Sequence, residues 1–221
     1  WVEKKLLIAK AELNLSEEKK NIERQIEDYR SSLLIYAFEK ELVNQMLDTV
    51  IKEEEIDDQY SKHKQNFELK DYIVKVLYVK LDKKTPQLKK VTDWYKLKNK
   101  DDKKKLEEYC HKYAVNFFID SEVWLYFDDV TKEIPIETFD KENFLKKNKF
   151  VEIEDDNYFY FLNILDYNLK DDISPLSFEK NNIRNIILNS RKLDLIKQMK
   201  KDVYNDAYEN KDFEIYAQDT L

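Results

Sequence analysis

Apolar residues recur at helical spacing near both ends of the chain. Toward the C-terminus Phe178, Ile183, Ile186, Ile187, Leu193, Ile196, Met199, Val203 and Ala207 form one stripe, with Lys, Asn and Asp on the other face. Ser174 before Pro175 favours an extended or cap-like start for that helix. A stripe of this length is not buried by a helix standing alone, so it asks for a partner surface. The partner is expected at the other end of the sequence. There Val2, Leu6, Leu7, Ala9 and Leu13 predict one helix, and Ser16 reads as the cap of a second, with Glu17 and Glu18 at its positive end and Lys19 at the third position. The second helix runs to about Val50 through Ile22, Ile26, Tyr29, Leu33, Tyr36, Val43 and Leu47. Its middle, Leu33 to Phe38, is apolar nearly all round, the pattern of a helix gripped on several sides or offering surface to a partner.

Between these ends the pattern changes. Glu53 to Tyr60 reads as a short helix with acids at its start, and Tyr72 to Leu81 is rich in β-branched and aromatic residues and reads as a strand. Pro86 to Lys98 and Asp101 to Asn116 read as two helices, Val123 to Phe127 as a short apolar run, and Lys141 to Asn148 as a short helix. Phe150 to Glu154, Asp155 to Asn157 and Tyr158 to Tyr167 read as strand, tight polar turn and strand. The fold class expected is therefore α+β: a helical body formed by the N- and C-terminal helices, with an α/β module inserted. The expected divisions are an N-terminal helical region at 1–68, the module at 69–169, and a C-terminal helix and short tail at 170–221 that packs on the N-terminal region.

Composition narrows the chemistry. The 221 residues include no glycine, where average usage supplies about 15. Gly-rich phosphate cradles, dinucleotide fingerprints and the GxSxG elbow are thereby excluded. The net charge of −7, with both signs interspersed, argues against a nucleic-acid partner and against adhesion to anionic lipid. The apolar runs are too short for a transmembrane segment. Cys110 is the one cysteine, so no intrachain disulfide or cysteine metal cluster forms. The chain begins at Trp1, and any signal peptide or lipid anchor is expected before it.

Candidate catalytic residues are few. Cys110 and His111 are neighbours on an expected helix and point in different directions, so they read as a buried cysteine beside an exposed histidine. His63 reads as solvent-facing. The acid clusters at Glu53 to Asp58, Asp101–Asp102, Asp128–Asp129 and Glu154 to Asp156 fit helix starts and turns, and none has calcium-loop spacing. No metal and no cofactor is expected. Aromatic residues concentrate in the module, where they serve either as core and strand surface or as a shallow platform for extended or proline-containing peptide. Trp124, Tyr126, Phe127 and Tyr158 are the candidate peptide-binding residues.

Three segments carry a family resemblance. They are Ile26 to Tyr36, Glu54 to Phe67, and Ile183 to Lys192 with Phe213 to Tyr216 closing the chain. In this order they resemble the SurA and PpiC-type periplasmic chaperones, in which a parvulin-like module interrupts a helical body. The resemblance implies an extracytoplasmic location, periplasmic or envelope-associated, and unfolded outer-membrane or secreted polypeptides as clients. It also implies peptidyl-prolyl isomerase chemistry, but the two histidines of the parvulin centre align with Tyr78 and Tyr160, and its glycine loop aligns with Ser121 to Tyr126. Tyrosine, with a pKa of about 10, substitutes poorly for imidazole. The main expectation is a chaperone or assembly factor without isomerase activity. The alternatives are an isomerase with a site rebuilt on Tyr78 and Tyr160, and a structural subunit bound to a fixed partner in an envelope complex.

Overall fold

The structure is a computed structural model that describes residues 1–16, 19 and 22–215. Its elements are α1 (Val2–Asn14), α2 (Glu23–Met46), α3 (Glu53–Lys62), β1 (Ile73–Asp82), α4 (Leu88–Trp94), α5 (Asp102–Tyr113), β2 (Ala114–Phe118), β3 (Trp124–Tyr126), α6 (Phe127–Glu133), α7 (Lys141–Lys147), β4 (Phe150–Glu154), β5 (Tyr158–Asn168) and α8 (Leu176–Glu209), with a 3-10 turn at Lys64–Asn66. The chain is thus α+β. It divides into two compact units, one of Trp1–Val50 with Ile186–Leu221 and one of Ile51–Asn185.

The unit 51–185 is built on an antiparallel sheet of order β2–β1–β5–β4, with β3 pairing β1 as well. Strand β1 is nearly continuous in apolar residues because both its faces are covered. On one face Val74, Val76, Tyr78, Tyr160, Leu162 and Ile164 pack against Phe127, Val130, Ile134 and Leu145 from α6, α7 and their link. On the other, Leu77, Val79, Leu81 and Phe161 pack against Val91, Tyr95, Leu106, Tyr109 and Cys110 from the α4–α5 layer. The turn between β4 and β5 closes without glycine, because the Asp155 carboxylate accepts the backbone N–H of Asn157 and of Tyr158, each at 2.8 Å.

The start of α8 is tied down within this same unit. Ile183 and Ile56 are fully buried. The Tyr60 hydroxyl donates to the Ser174 carbonyl at 2.7 Å, and the Ser174 N–H donates to the Phe67 carbonyl at 2.7 Å. Glu53, in the first turn of α3, meets Lys180 at 2.6 Å and Arg184 at 3.1 Å.

In the helical unit, α2 meets the C-terminal part of α8. The Arg191 guanidinium donates to the carbonyls of Asp48 and Val50, both at 2.8 Å, and Lys200 pairs with Glu39 at 2.8 Å. Residues 1–50 and the part of α8 from Ile186 onward therefore share one unit. Helix α8 closes with Lys211 at φ 57°, the left-handed position usually given to glycine, while the N–H of Asp212 reaches back to the Ala207 carbonyl at 2.9 Å.

Several boundaries differ from the sequence reading. The helix expected over Asp101 to Asn116 stops at Tyr113, and the chain turns directly into β2, because Asn116, Phe117 and Phe118 pair with β1 opposite Lys80, Val79 and Tyr78. The apolar run at Val123 to Phe127 is β3 followed at once by α6. The second long helix ends at Met46, short of Val50. Glu17 and Glu18 of the expected cap lie outside the described residues. Phe213, Glu214 and Ile215 form no strand, and Phe213 instead rests on the Tyr204 ring with centroids 5.4 Å apart. Tyr216 lies outside the described residues.

Candidate polypeptide-binding surfaces

Tyr78 and Tyr160 lie on the same face of the sheet. Tyr78 pairs with Leu162 and Tyr160 with Lys80, so the two rings are diagonal neighbours on adjacent strands. Both are almost fully buried. Their hydroxyls serve different partners. Tyr160 donates to the Asp155 carboxylate at 2.7 Å. Burial, reinforced by that carboxylate, pushes its phenol up to about 12. The hydrogen bond from Tyr160, with the two turn N–H groups and nearby Lys80, holds Asp155 below the usual carboxylate range. Tyr78 stacks on Phe118 with centroids 6.0 Å apart. Burial raises its pKa, the Glu133 carboxylate adds to the rise, and a hydrogen bond with Asn116 opposes it. Asn116 is itself held to Glu133 at 2.7 Å. Both phenols thus stay protonated at neutral pH, and each is engaged by its own partner, Asp155 for Tyr160 and the Asn116–Glu133 pair for Tyr78.

The four aromatic candidates do not form one platform. Trp124 and Tyr126 pair with Lys75 and Ile73, which places them on the α4–α5 side of the sheet at the start of β1. Trp124 donates its indole N–H to the Ser177 hydroxyl at 3.0 Å and lies under the Lys75 ammonium at 5.3 Å. Tyr126, 45% exposed, sets its ring edgewise to Phe178 at 5.3 Å. Tyr158 pairs with Asp82, on the opposite face and at the far end of β1. Phe127 is not a surface residue: its side chain has no exposure and stacks obliquely on Phe144 with centroids 5.8 Å apart, inside the core. Strand alternation and register separate residues that composition groups together.

Sequence reasoning missed a neighbour of Tyr160. The Lys80 ammonium lies 4.5 Å from the Tyr158 ring centre and 5.4 Å from that of Tyr160, a cation held between two aromatic faces. It also missed a cleft of about 300 Å³ between α4 and the β4–β5 hairpin, lined by Leu88, Thr92, Glu152, Phe159 and Phe161 among others. The alternation Tyr158–Phe159–Tyr160–Phe161 carries the signal for both, with tyrosines on one face and phenylalanines on the other. Cys110 is buried and His111 exposed, as expected for residues one apart on a helix. Burial pushes the Cys110 thiol up to about 12.

The helical unit presents a different surface. No residue of α1 or α2 is buried. Along one stripe of α2, Ile22, Ile26, Tyr29, Leu33 and Tyr36 are 46, 56, 66, 50 and 64% exposed. Leu34, Ile35 and Phe38 extend the apolar surface around the same turns at 54–58%. On α1, Val2, Leu6, Leu7 and Leu13 are exposed by 62% or more. Single exposed apolar residues are ordinary, but runs of this length mark interaction surface. None of the helices among the described residues is long and apolar enough to cross a membrane.

No family model and no curated protein matches the chain. A solved structure, from work describing the virulence factor PEB4 and the periplasmic protein Cj1289 of the human pathogen Campylobacter jejuni as structurally related SurA-like chaperones, overlays 98% of this chain and 82% of its own. The identity is 13% and the TM-score 0.34.

Proposed function

We propose that the protein is a polypeptide-holding chaperone or assembly factor without prolyl isomerase activity, acting outside the cytoplasm on unfolded outer-membrane or secreted chains. The single observation that carries this is the apolar stripe of α2, whose residues from Ile26 to Tyr36 stay half or more exposed. Broad, weakly directional apolar contact suits many unfolded sequences, since it asks for no particular hydrogen-bond pattern. The buried, carboxylate-linked phenol of Tyr160 and the buried Tyr78 favour a non-catalytic role for the sheet face. In this reading 1–50 and 186–221 make the capture body and 51–185 holds a degenerate parvulin-like module, with 51–68 and 170–185, expected in the helical body, grouped with the sheet instead.

The test is dilution of an unfolded outer-membrane β-barrel protein out of urea, followed by light scattering. Suppression of scattering at equimolar protein supports the reading. Unchanged scattering at a molar excess contradicts it. If scattering is unchanged and a single stable partner co-purifies from envelope extracts, the apolar stripe belongs to a fixed envelope complex instead.

A further inference from the structure

The net charge of −7 is unevenly distributed. Residues 83–105 hold ten lysines and three aspartates, so this stretch carries +7 and the remainder of the chain −14. The stretch comprises the loop after β1, all of α4, the α4–α5 loop and the first turn of α5. Its apolar positions, Val91, Tyr95 and, further along α5, Leu106, Tyr109 and Cys110, turn into the core under the sheet. The lysines are left outside. Lys84, Lys89, Lys90, Lys98, Lys104 and Lys105 are all exposed, as is Lys100. Among the described residues none of these makes an ion pair, whereas lysines elsewhere do, as Lys62 with Asp58, Lys180 with Glu53 and Lys200 with Glu39.

The acids in and beside the stretch leave most of this charge uncompensated. Asp102 is buried and accepts the Asn99 N–H at 2.8 Å. Asp82 accepts the Lys84 N–H at 2.8 Å in the loop. Lys96 pairs with Glu152 at 3.2 Å. Asp93 and Asp101 are exposed, and Glu107 and Glu108 follow one turn further along α5.

The kind of partner follows from what accompanies the charge. The stretch has no arginine, so it lacks the planar fork that reads base edges and grips phosphates in pairs. Its aromatic rings are largely engaged, since Tyr95 and Tyr109 are buried and half-buried Trp94 meets Tyr109 in a T-shaped contact with centroids 6.0 Å apart, which leaves little free ring face for base stacking. Half-buried Leu88, Trp94 and Leu97 lie among the lysines. Flexible point charges around a few partly exposed apolar and indole groups match a diffuse anionic interface. We propose that the α4–α5 face docks on a bilayer surface rich in anionic lipid. The docking is independent of client capture by α2.

The experiment is sedimentation of the whole chain with vesicles of phosphatidylcholine containing about a third phosphatidylglycerol, set against phosphatidylcholine alone, at moderate salt. Binding to the anionic vesicles only, weakened by added salt, is the expected result. Combining Lys89→Glu, Lys98→Glu and Lys104→Glu lowers partitioning by more than about 100-fold. Lys64→Glu with Lys70→Glu, exposed but outside the stretch, leaves it nearly unchanged. Lys→Gln at the same three positions gives a smaller loss in the same direction and stands in if the reversals impair folding. Equal binding to neutral vesicles, or retention of binding by the triple variants, overturns the proposal. So does tighter binding of a single-stranded oligonucleotide at the same salt, which assigns the lysines to nucleic acid. Suppression of client aggregation stays intact in the triple variant, so this test and that of the holding function fail separately.

Discussion

Replacing Ile26, Tyr29, Leu33 and Tyr36 together by glutamine tests the capture surface without touching a buried residue. The four lie on one face of α2, Ile26 to Tyr36, about 15 Å apart along the helix. Their exposures are 56, 66, 50 and 64%, so roughly half of each side chain is still available to a partner. Full burial of such a side chain contributes about 1.5–3 kcal/mol, which leaves about 1 kcal/mol per residue and about 4 kcal/mol for the set. Ordering a flexible client opposes part of that gain, so the expected loss of client affinity is about 10- to 100-fold. Glutamine is a good helix former, and far-ultraviolet circular dichroism of the variant should match the parent. The assay is anisotropy of a fluorescently labelled unfolded outer-membrane protein titrated with parent and variant. Unchanged affinity with unchanged helicity would refute the argument. Loss of helicity would refute it from another side, since half-exposed residues on one helix face should not hold the fold.

Three further outcomes follow from the geometry. Lys211→Gly relieves a left-handed backbone position at φ 57° in an exposed helix cap, and should raise stability in denaturant titrations by about 0.5–1 kcal/mol. Cys110 should resist a thiol reagent at pH 8 in the native protein and react fully in guanidinium. Its folded-state pKa, raised from 9.0 to about 12, means that its contribution to stability is present below pH 9 and lost as pH rises toward 12. In a proline-peptide assay the protein should not accelerate cis–trans exchange, which takes tens of seconds unaided. Acceleration abolished by Tyr78→Phe or Tyr160→Phe would instead establish a rebuilt isomerase site.

Much of the fold could be read from pattern. The β4–β5 hairpin emerged with its Asp155 to Asn157 turn because a polar break separates two dense apolar runs. Helix α8 emerged because its stripe persists over many turns. Short elements were harder. Leu106, Tyr109, Cys110, Tyr113 and Phe117 keep helical spacing across the junction of α5 and β2, so periodicity alone carries the helix too far. Helix α6 has seven residues, too few to show a period, and its Phe127 is core for a reason that lies across the sheet in Phe144. The aromatic candidates were legible as residues but not as a site, because β3 pairs with the start of β1 and Tyr158 with its end. The lysine-rich face was visible in the letters, yet a net charge averages it away. Only the inward turn of Val91, Tyr95 and Leu106 shows that the lysines are left together outside.

The most direct measurement places a photoreactive benzoyl-phenylalanine at Leu33 and, separately, at Phe139, which is fully exposed on the sheet-containing unit. Each protein is irradiated with an unfolded outer-membrane client. Capture by the α2 stripe predicts strong crosslinking from position 33 and little from position 139. Crosslinking from 139 with none from 33 would contradict the account and place client binding on the sheet-containing unit.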